Sequence, residues 1–234
     1  MLDITTLRDQ VYQILRDRII TGQLIPGQRL DVDDLSQSLG VSPTPVKDAL
    51  KQLAAEGLID IRPRRGTFVA EFTRRDIEEL FDVRLMMELH AVDAGLANAT
   101  REDDGQLRQI LEYLSTFIDG DGYRDYQTFL VHDIELHGYL VRLTGNRRLV
   151  EMYESIRLNI LLVRAYAIQP VKDAQATYQE HQAIVTAFEQ RSAEALRVAI
   201  RRHETNRMAH LRTILSHLPR STNDEIGNPR NDGR

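Results

Sequence analysis

The chain has 234 residues, 42% hydrophobic and 28% charged, ordinary for a folded globular protein with room for one large domain or two smaller ones. It has no cysteine, which excludes disulfides, Cys-ligated zinc, iron–sulfur clusters and a thiol nucleophile. A formal net charge of −5 does not advertise a nucleic-acid binder, so any such role has to rest on local patches.

The opening, MLDITTLRDQ, lacks the basic and apolar regions of a signal peptide, and no apolar run is long enough to span a bilayer. A cytoplasmic protein without membrane contact is expected. The first helix is predicted where Leu7, Val11, Ile14, Leu15 and Ile19 recur at helical spacing. In LDVDDLSQSLG, Asp31 is placed as an N-cap, Asp34 in the capping-box position, and Leu30 and Leu35 as a hydrophobic staple. A tight turn at Gly40 leads into SPTPVKDALKQLAAEGL. There Ser42 is the predicted N-cap, and Pro43 and Pro45 take the first and third helical positions. The first amides of a helix have no internal partner, so these prolines break nothing. The Ser42 hydroxyl is expected to cap the Thr44 amide, with Val41 and Val46 as a staple. Val46, Ala49, Leu50 and Leu53 form a core stripe, and Thr44, Lys47 and Lys51 fall on another side. Two short helices across a glycine turn, braced by a third, make a helix-turn-helix.

LIDIRPRRGTFVAEF then reads as a strand over 58–61, a basic turn of Arg62, Pro63, Arg64, Arg65 and Gly66, and a strand over 67–70. Such a wing can reach phosphates or a minor groove. The alternative is a merely solvated turn beside a wet helix face. From YQILRDRII through RPRRGTFVA, the chain resembles the winged helix-turn-helix of the GntR family of bacterial transcription regulators. The resemblance runs in order through ITGQLIPGQRL, LGVSPTPVKDALKQLAAEGL and RRGTFV, over about seventy residues. It implies that Ser42, Thr44, Lys47, Lys51, Arg64, Arg65 and Gly66 lie at a DNA surface, with Arg62 beside them on the wing. Two positions depart from the family: Pro43 and Lys47 stand where arginine is usual. Without arginine's bidentate fork, Lys47 is left to neutralise a phosphate or touch one acceptor.

Beyond residue 72 the patterns are helical and the strand signal fades. Helices are predicted over 74–98, 103–119, 123–143, 147–168, 171–190 and 193–218, broken at Thr100, DGDG, TGN, Pro170 and Ser192. Asn146 reads as a turn or cap residue. The expected architecture is mainly α: a winged helix-turn-helix over 1–72, an antiparallel all-α bundle of six (or seven) helices over 73–218, and a disordered polar tail over 219–234.

Asp133 and His137 in HDIELH are four apart and share a helix face. His181 and His203 lie on the last two predicted helices, about nine residues before the turn and about eleven after it. At roughly 1.5 Å per residue, an antiparallel hairpin brings them to one level. One carboxylate and three imidazoles can hold a divalent transition ion (zinc, nickel or manganese) with positions left open. His90, His132, His210 and His217 are assigned no such role.

The region from Arg74 to Leu218 resembles the FCD effector domain of the FadR-like branch, on DIEELFDVRLMMELHAVDAGLANA, DIELHGYLVRLTGN, YQEHQAIVTAFEQR and ALRVAIRRHETN. Its six helices are closer to the VanR-like subgroup. The resemblance implies a metal on Asp133, His137, His181 and His203, and a small carboxylate effector near Arg84. An ion pair of Arg84 with Glu88 is the structural alternative. The expectation is a homodimeric repressor on a palindromic double-stranded operator, released by its effector and not an enzyme. A ligand-independent DNA-binding dimer and a metallohydrolase are the other readings. Against the latter stand the missing HExxH and nucleophile elbow.

Overall fold

The structure, a computed structural model, describes residues 6–167 and 173–215. The predicted tail from Pro219, His217 and the break at Pro170 lie outside them. Helix α1 (Leu7–Ile20) starts at Thr6, whose hydroxyl accepts from the Asp9 amide while the Asp9 carboxylate accepts in return. Strand β1 (Arg29–Leu30) leads to α2 (Val32–Leu39), where the Asp31 side chain accepts from the amides of Asp33 and Asp34. Asp34 forms no reciprocal bond, so Asp31 caps that end by itself. Gly40, at φ +67, closes the helix in the left-handed conformation that glycine tolerates best.

Helix α3 (Pro43–Ala55) begins at the predicted position, with proline at its first turn, but the Ser42 hydroxyl makes no capping bond. The two prolines leave only the Thr44 amide in reach, and that bond is not formed. The start is held by the fixed proline φ and by Val46, buried in the core on which Val41 packs. Strands β2 (Ile59–Arg62) and β3 (Gly66–Val69) form the predicted hairpin, shifted by one residue at each end. Strand β1, which was not foreseen, pairs antiparallel with β3, Arg29 opposite Phe68 and Leu30 opposite Thr67. A two-residue strand carries too short a pattern to be read from sequence. Leu15, Ile19, Val46, Leu53, Leu58 and Val69 are buried together beneath this sheet.

The rest is helical: α4 (Arg74–Asn98), α5 (Arg101–Ser115), α6 (Tyr126–Arg142), α7 (Arg147–Ala167), α8 (Ala174–Glu189) and α9 (Ala193–Leu215), six among the described residues. Thr73 and Thr100 open α4 and α5 with full capping boxes to Asp76 and Asp103. Asn146 caps α7, its side-chain oxygen accepting from the amides of Arg148 and Leu149. Between α5 and α6 the chain forms a small hairpin, β4 (Ile118–Asp119) with β5 (Gly122–Tyr123), where uninterrupted helix ends were expected. Gly120 at φ +60 makes its turn, and Asp125 starts α6 by accepting from the Thr128 amide. The bundle core combines Leu107, Leu114, Phe129, Leu136, Ile184 and Phe188. Helix α7 also touches the winged part: its Leu158 packs on the core beneath the sheet.

Candidate metal centre and DNA-facing surface

Helix α6 presents Asp133 and His137 one turn apart, and both side chains are fully buried. Helices α8 and α9 fold back on each other across a turn at Arg191, φ +54, which levels His181 with His203. Asp133, His137, His181 and His203 each bring one donor atom into a cluster whose members lie within 4.8 Å of one another. The three imidazole centroids are 4.5 to 5.5 Å apart. His181 Nε2 is 3.0 Å from Asp133 Oδ1 but not aligned for a hydrogen bond. Neither ring nitrogen of His181, nor His137 Nε2, has a hydrogen-bond partner among the described residues. Each such buried group costs about 1–3 kcal/mol. A cation at the shared point would use those lone pairs, so the residues fit one.

Two carboxylates stand behind the imidazoles. His137 Nδ1 lies 2.9 Å from Glu88 Oε2, and His203 Nδ1 lies 2.8 Å from Glu180 Oε2. A proton held there leaves each Nε2 as the lone-pair nitrogen, the usual support for a histidine ligand, although on His203 that nitrogen already meets the Arg207 guanidinium. Burial pushes both imidazoles below their ordinary pKa, His203 strongly, with Arg207 and the other histidines adding to it. Both rings are therefore neutral at pH 7, the form that coordinates. The Arg207 guanidinium lies against His203 and 3.4 Å from Asp133.

Arg84, on α4, is wholly buried. Its Nε donates to Glu88 Oε1 at 2.7 Å, so the ion pair read from sequence exists. Its Nη2 is 3.5 Å from Glu204, yet neither Nη1 nor Nη2 makes a hydrogen bond. The Glu204 carboxylate stands at ion-pair distance from that edge, so any further carboxylate would share it. Glu88 also accepts from the Tyr153 hydroxyl at 2.8 Å. Against the cost of burial, Arg84 and His137 hold its carboxyl below the usual range. Glu88, His137 and Glu204 also cluster closely enough for a metal, but Arg84 already supplies the cation between the two carboxylates. A cavity of about 220 Å3 opens beside the centre, its lining including His203, Arg207, Tyr123, Tyr126, Thr177 and Asn206.

Sequence reasoning missed Glu180, Glu204, Tyr153 and Arg207, and saw Glu88 only as a partner of Arg84. No spacing rule connects Glu180 with His203, or Tyr153 with Glu88. Of the histidines set aside, His90 is exposed and His132 packs against Tyr113 and Phe117. His210 lines the cavity.

On the opposite part of the chain, Ser42, Thr44, Lys47 and Lys51 are exposed on or beside the first turns of α3, and Lys51 pairs with Asp48 at 3.0 Å. Arg64 and Arg65 are exposed at the wing tip with no ion pair among the described residues; Arg64 takes φ +63. Arg62 differs from its neighbours. It folds back on Asp60 at 3.1 Å and Glu71 at 3.5 Å, with its guanidinium over the Phe68 ring, so its charge is partly compensated. Gly66, at φ +117, lies against Arg29, which the β1–β3 pairing carries to the wing. Arg29 is a further basic side chain that the hairpin reading could not place there.

A winged helix-turn-helix with a basic tip, joined to an all-helical domain with a buried polar centre, defines a two-part DNA-binding regulator. Residues 7–69 match the gntR family of bacterial regulatory proteins, and residues 79–206 match the FCD domain. The chain belongs to the GntR family and carries an FCD domain as its helical part. It is 25% identical to the HTH-type transcriptional repressor RspR of Escherichia coli, over 84% of this chain and 85% of that one. It is 28% identical to the gluconate operon transcriptional repressor of Bacillus licheniformis, over 78% and 75% of the two chains. The solved structure of McbR/YncC from E. coli superposes with a TM-score of 0.74 at 24% identity, covering 91% of this chain and 99% of that one, and bears on the fold. Among the described residues no helix is long and apolar enough to cross a membrane.

Proposed function

We propose that the chain is a cytoplasmic repressor whose grip on a palindromic operator is set by a small organic acid bound in the helical domain. Two subunits pair through their bundles, for which the exposed Val83 and Met86 on α4 offer apolar surface, and set two α3 helices into successive major grooves. Ser42, Thr44, Lys47 and Lys51 face the groove; Arg64, Arg65 and Gly66 bring the wing to the backbone, with Arg62 beside them.

Asp133, His137, His181 and His203 would hold a divalent transition ion (zinc, nickel or manganese), which when bound supplies a Lewis acid for the effector's carboxylate. Arg84 takes a carboxylate oxygen with the two nitrogens that make no hydrogen bond, in competition with Glu204, and Glu88 holds Arg84 and His137 in place. Tyr123, Tyr126, Thr177 and Asn206 suit a hydroxylated acid, a class in keeping with the name of the gluconate operon relative. The chain acts by differential binding of two arrangements, not by turnover. One observation carries the reading: His181 and Arg84, both wholly buried, each have two nitrogens without a hydrogen bond.

The test is native mass spectrometry with elemental analysis on freshly purified protein, then thermal shift against a panel of organic and sugar acids. About one ion per subunit is expected in the wild type and none in His181→Ala. A wild type that takes up no added zinc, or that no acid stabilises, would overturn it.

A further inference from the structure

The last turn of α3 ends in two carbonyls, of Glu56 and Gly57, that no amide of its own helix reaches. Both point at Asn159, in the middle of α7. Turned so that its amide nitrogen faces them, the orientation that pairs both carbonyls, the Asn159 side chain donates to Glu56 O at 3.1 Å and Gly57 O at 3.2 Å. The approach is close. Gly57 sits at φ +72, and a Cβ there would meet the Asn159 side chain at 3.0 Å. The adjacent Leu158 packs on the winged core. From the other side, the Tyr12 hydroxyl of α1 donates to the Glu56 carboxylate at 2.7 Å. Helix α3 is thus gripped at its C-terminus from α7, while Ser42, Thr44 and Lys47 at its N-terminal end remain exposed.

The same α7 enters the buried cluster. Tyr153 lies six residues before Asn159, about 9 Å along the axis and about 240° round it, so the two side chains leave the helix on different sides. Tyr153 is 1% exposed, and its hydroxyl donates to Glu88 at 2.8 Å. Glu88 in turn holds Arg84 at 2.7 Å and His137 at 2.9 Å. A continuous set of hydrogen bonds and one rigid helix therefore runs from a candidate ligand to the end of the reading helix.

We infer that Asn159 is the positioning residue by which the helical domain sets the reading helix, and that Tyr153, through Glu88, makes that setting answer to what His137 and Arg84 bind. The inference rests, for its trigger, on the metal reading above. A change of partners at His137 or Arg84 re-poses the Glu88 carboxylate, which has one oxygen on Tyr153 and Arg84 and the other on His137. Tyr153 follows, α7 moves as a unit, and the cap on Glu56 and Gly57 shifts with it. If Asn159 were only a structural cap, its loss would weaken the protein equally with and without metal.

The experiment uses the full chain with zinc as the probe. Amide hydrogen exchange is followed across residues 50–58, and affinity is measured for a duplex selected by the wild type from random-sequence DNA. Zinc affinity is titrated in parallel for the wild type, Asn159→Ala, Asn159→Asp, Tyr153→Phe and the double variant. In the wild type, zinc is expected to change exchange in the last turn of α3, and the DNA dissociation constant, by roughly fivefold or more. The Asn159 and Tyr153 variants should keep zinc binding and lose most of that change, and the double variant should lose no more than either single one. Bound zinc with unaltered exchange in that turn overturns the inference without any variant. So does an Asn159→Ala protein that retains the full response, or single effects that add. Failure of the wild type to bind zinc overturns the metal reading itself, which separates the two failures.

Discussion

A buried imidazole with no hydrogen bond at either nitrogen, as at His181, is a cost that folding alone does not explain, and a metal would remove the part of it that falls on the lone-pair nitrogen. His137 and His203 have folded pKa values below the ordinary 6.5. Above that pH both folded and unfolded forms are neutral and stability does not change; below it the unfolded chain binds protons that the folded one refuses. Stability of chelator-treated protein should therefore fall as pH drops below about 6.5, until the folded rings take up protons in turn. Glu88, depressed from 4.5, adds stability present above that value and lost as pH falls through and below it. Thermal melts in chelator between pH 7.5 and 4 would check both, and a flat profile would contradict the burial of neutral rings. Glu88→Ala should cost about 3–5 kcal/mol in urea unfolding, because Arg84 then keeps only Glu204, at 3.5 Å. At this scale the sequence showed the residue types that the fold brings together and the Asp133–His137 spacing. It hid Glu180, Glu204, Tyr153 and Arg207, whose partners lie on other elements.

Elements were more legible. The capping boxes at Thr73 and Thr100 and the proline start of α3 are local chemistry, and local chemistry is written in adjacent residues. The misses share a cause. Strand β1 and the β4–β5 hairpin are two-residue strands that exist only because a partner strand pairs with them. Their consequence is functional, since β1 brings Arg29 to Gly66 at the wing. Arg64→Ala with Arg65→Ala should weaken binding to any duplex and lower the salt slope by roughly two, about one for each phosphate no longer neutralised. Arg62→Ala should do less to the slope, since its charge already meets Asp60 and Glu71. Binding isotherms from about 50 to 200 mM salt would show it, and an unchanged slope in the double variant would remove the wing from the phosphates.

For the whole molecule, a metal held at the candidate centre would be coupled to the fold by mass action. A ligand that binds only the folded state adds about 4 kcal/mol at a thousand times its dissociation constant. Zinc should therefore raise the melting temperature of the wild type in a concentration-dependent way and leave His181→Ala unmoved. An equal shift in both proteins would mean that zinc binds elsewhere. Helix α7 spans the molecule, contributing Tyr153 to the buried cluster and Leu158 to the winged core.

The order of the long helices, the β2–β3 wing, the two-part organisation and the residue types of the candidate metal set were determined by the sequence, because periodicity, caps and four-residue spacing act within one stretch of chain. Which carboxylate supports which histidine, which arginine of the wing stays uncompensated, and how α7 grips the end of α3 were decided only by the tertiary structure. Those depend on side chains from helices distant in sequence meeting in a buried, poorly screened interior, where an interaction's worth is set by its neighbours in space.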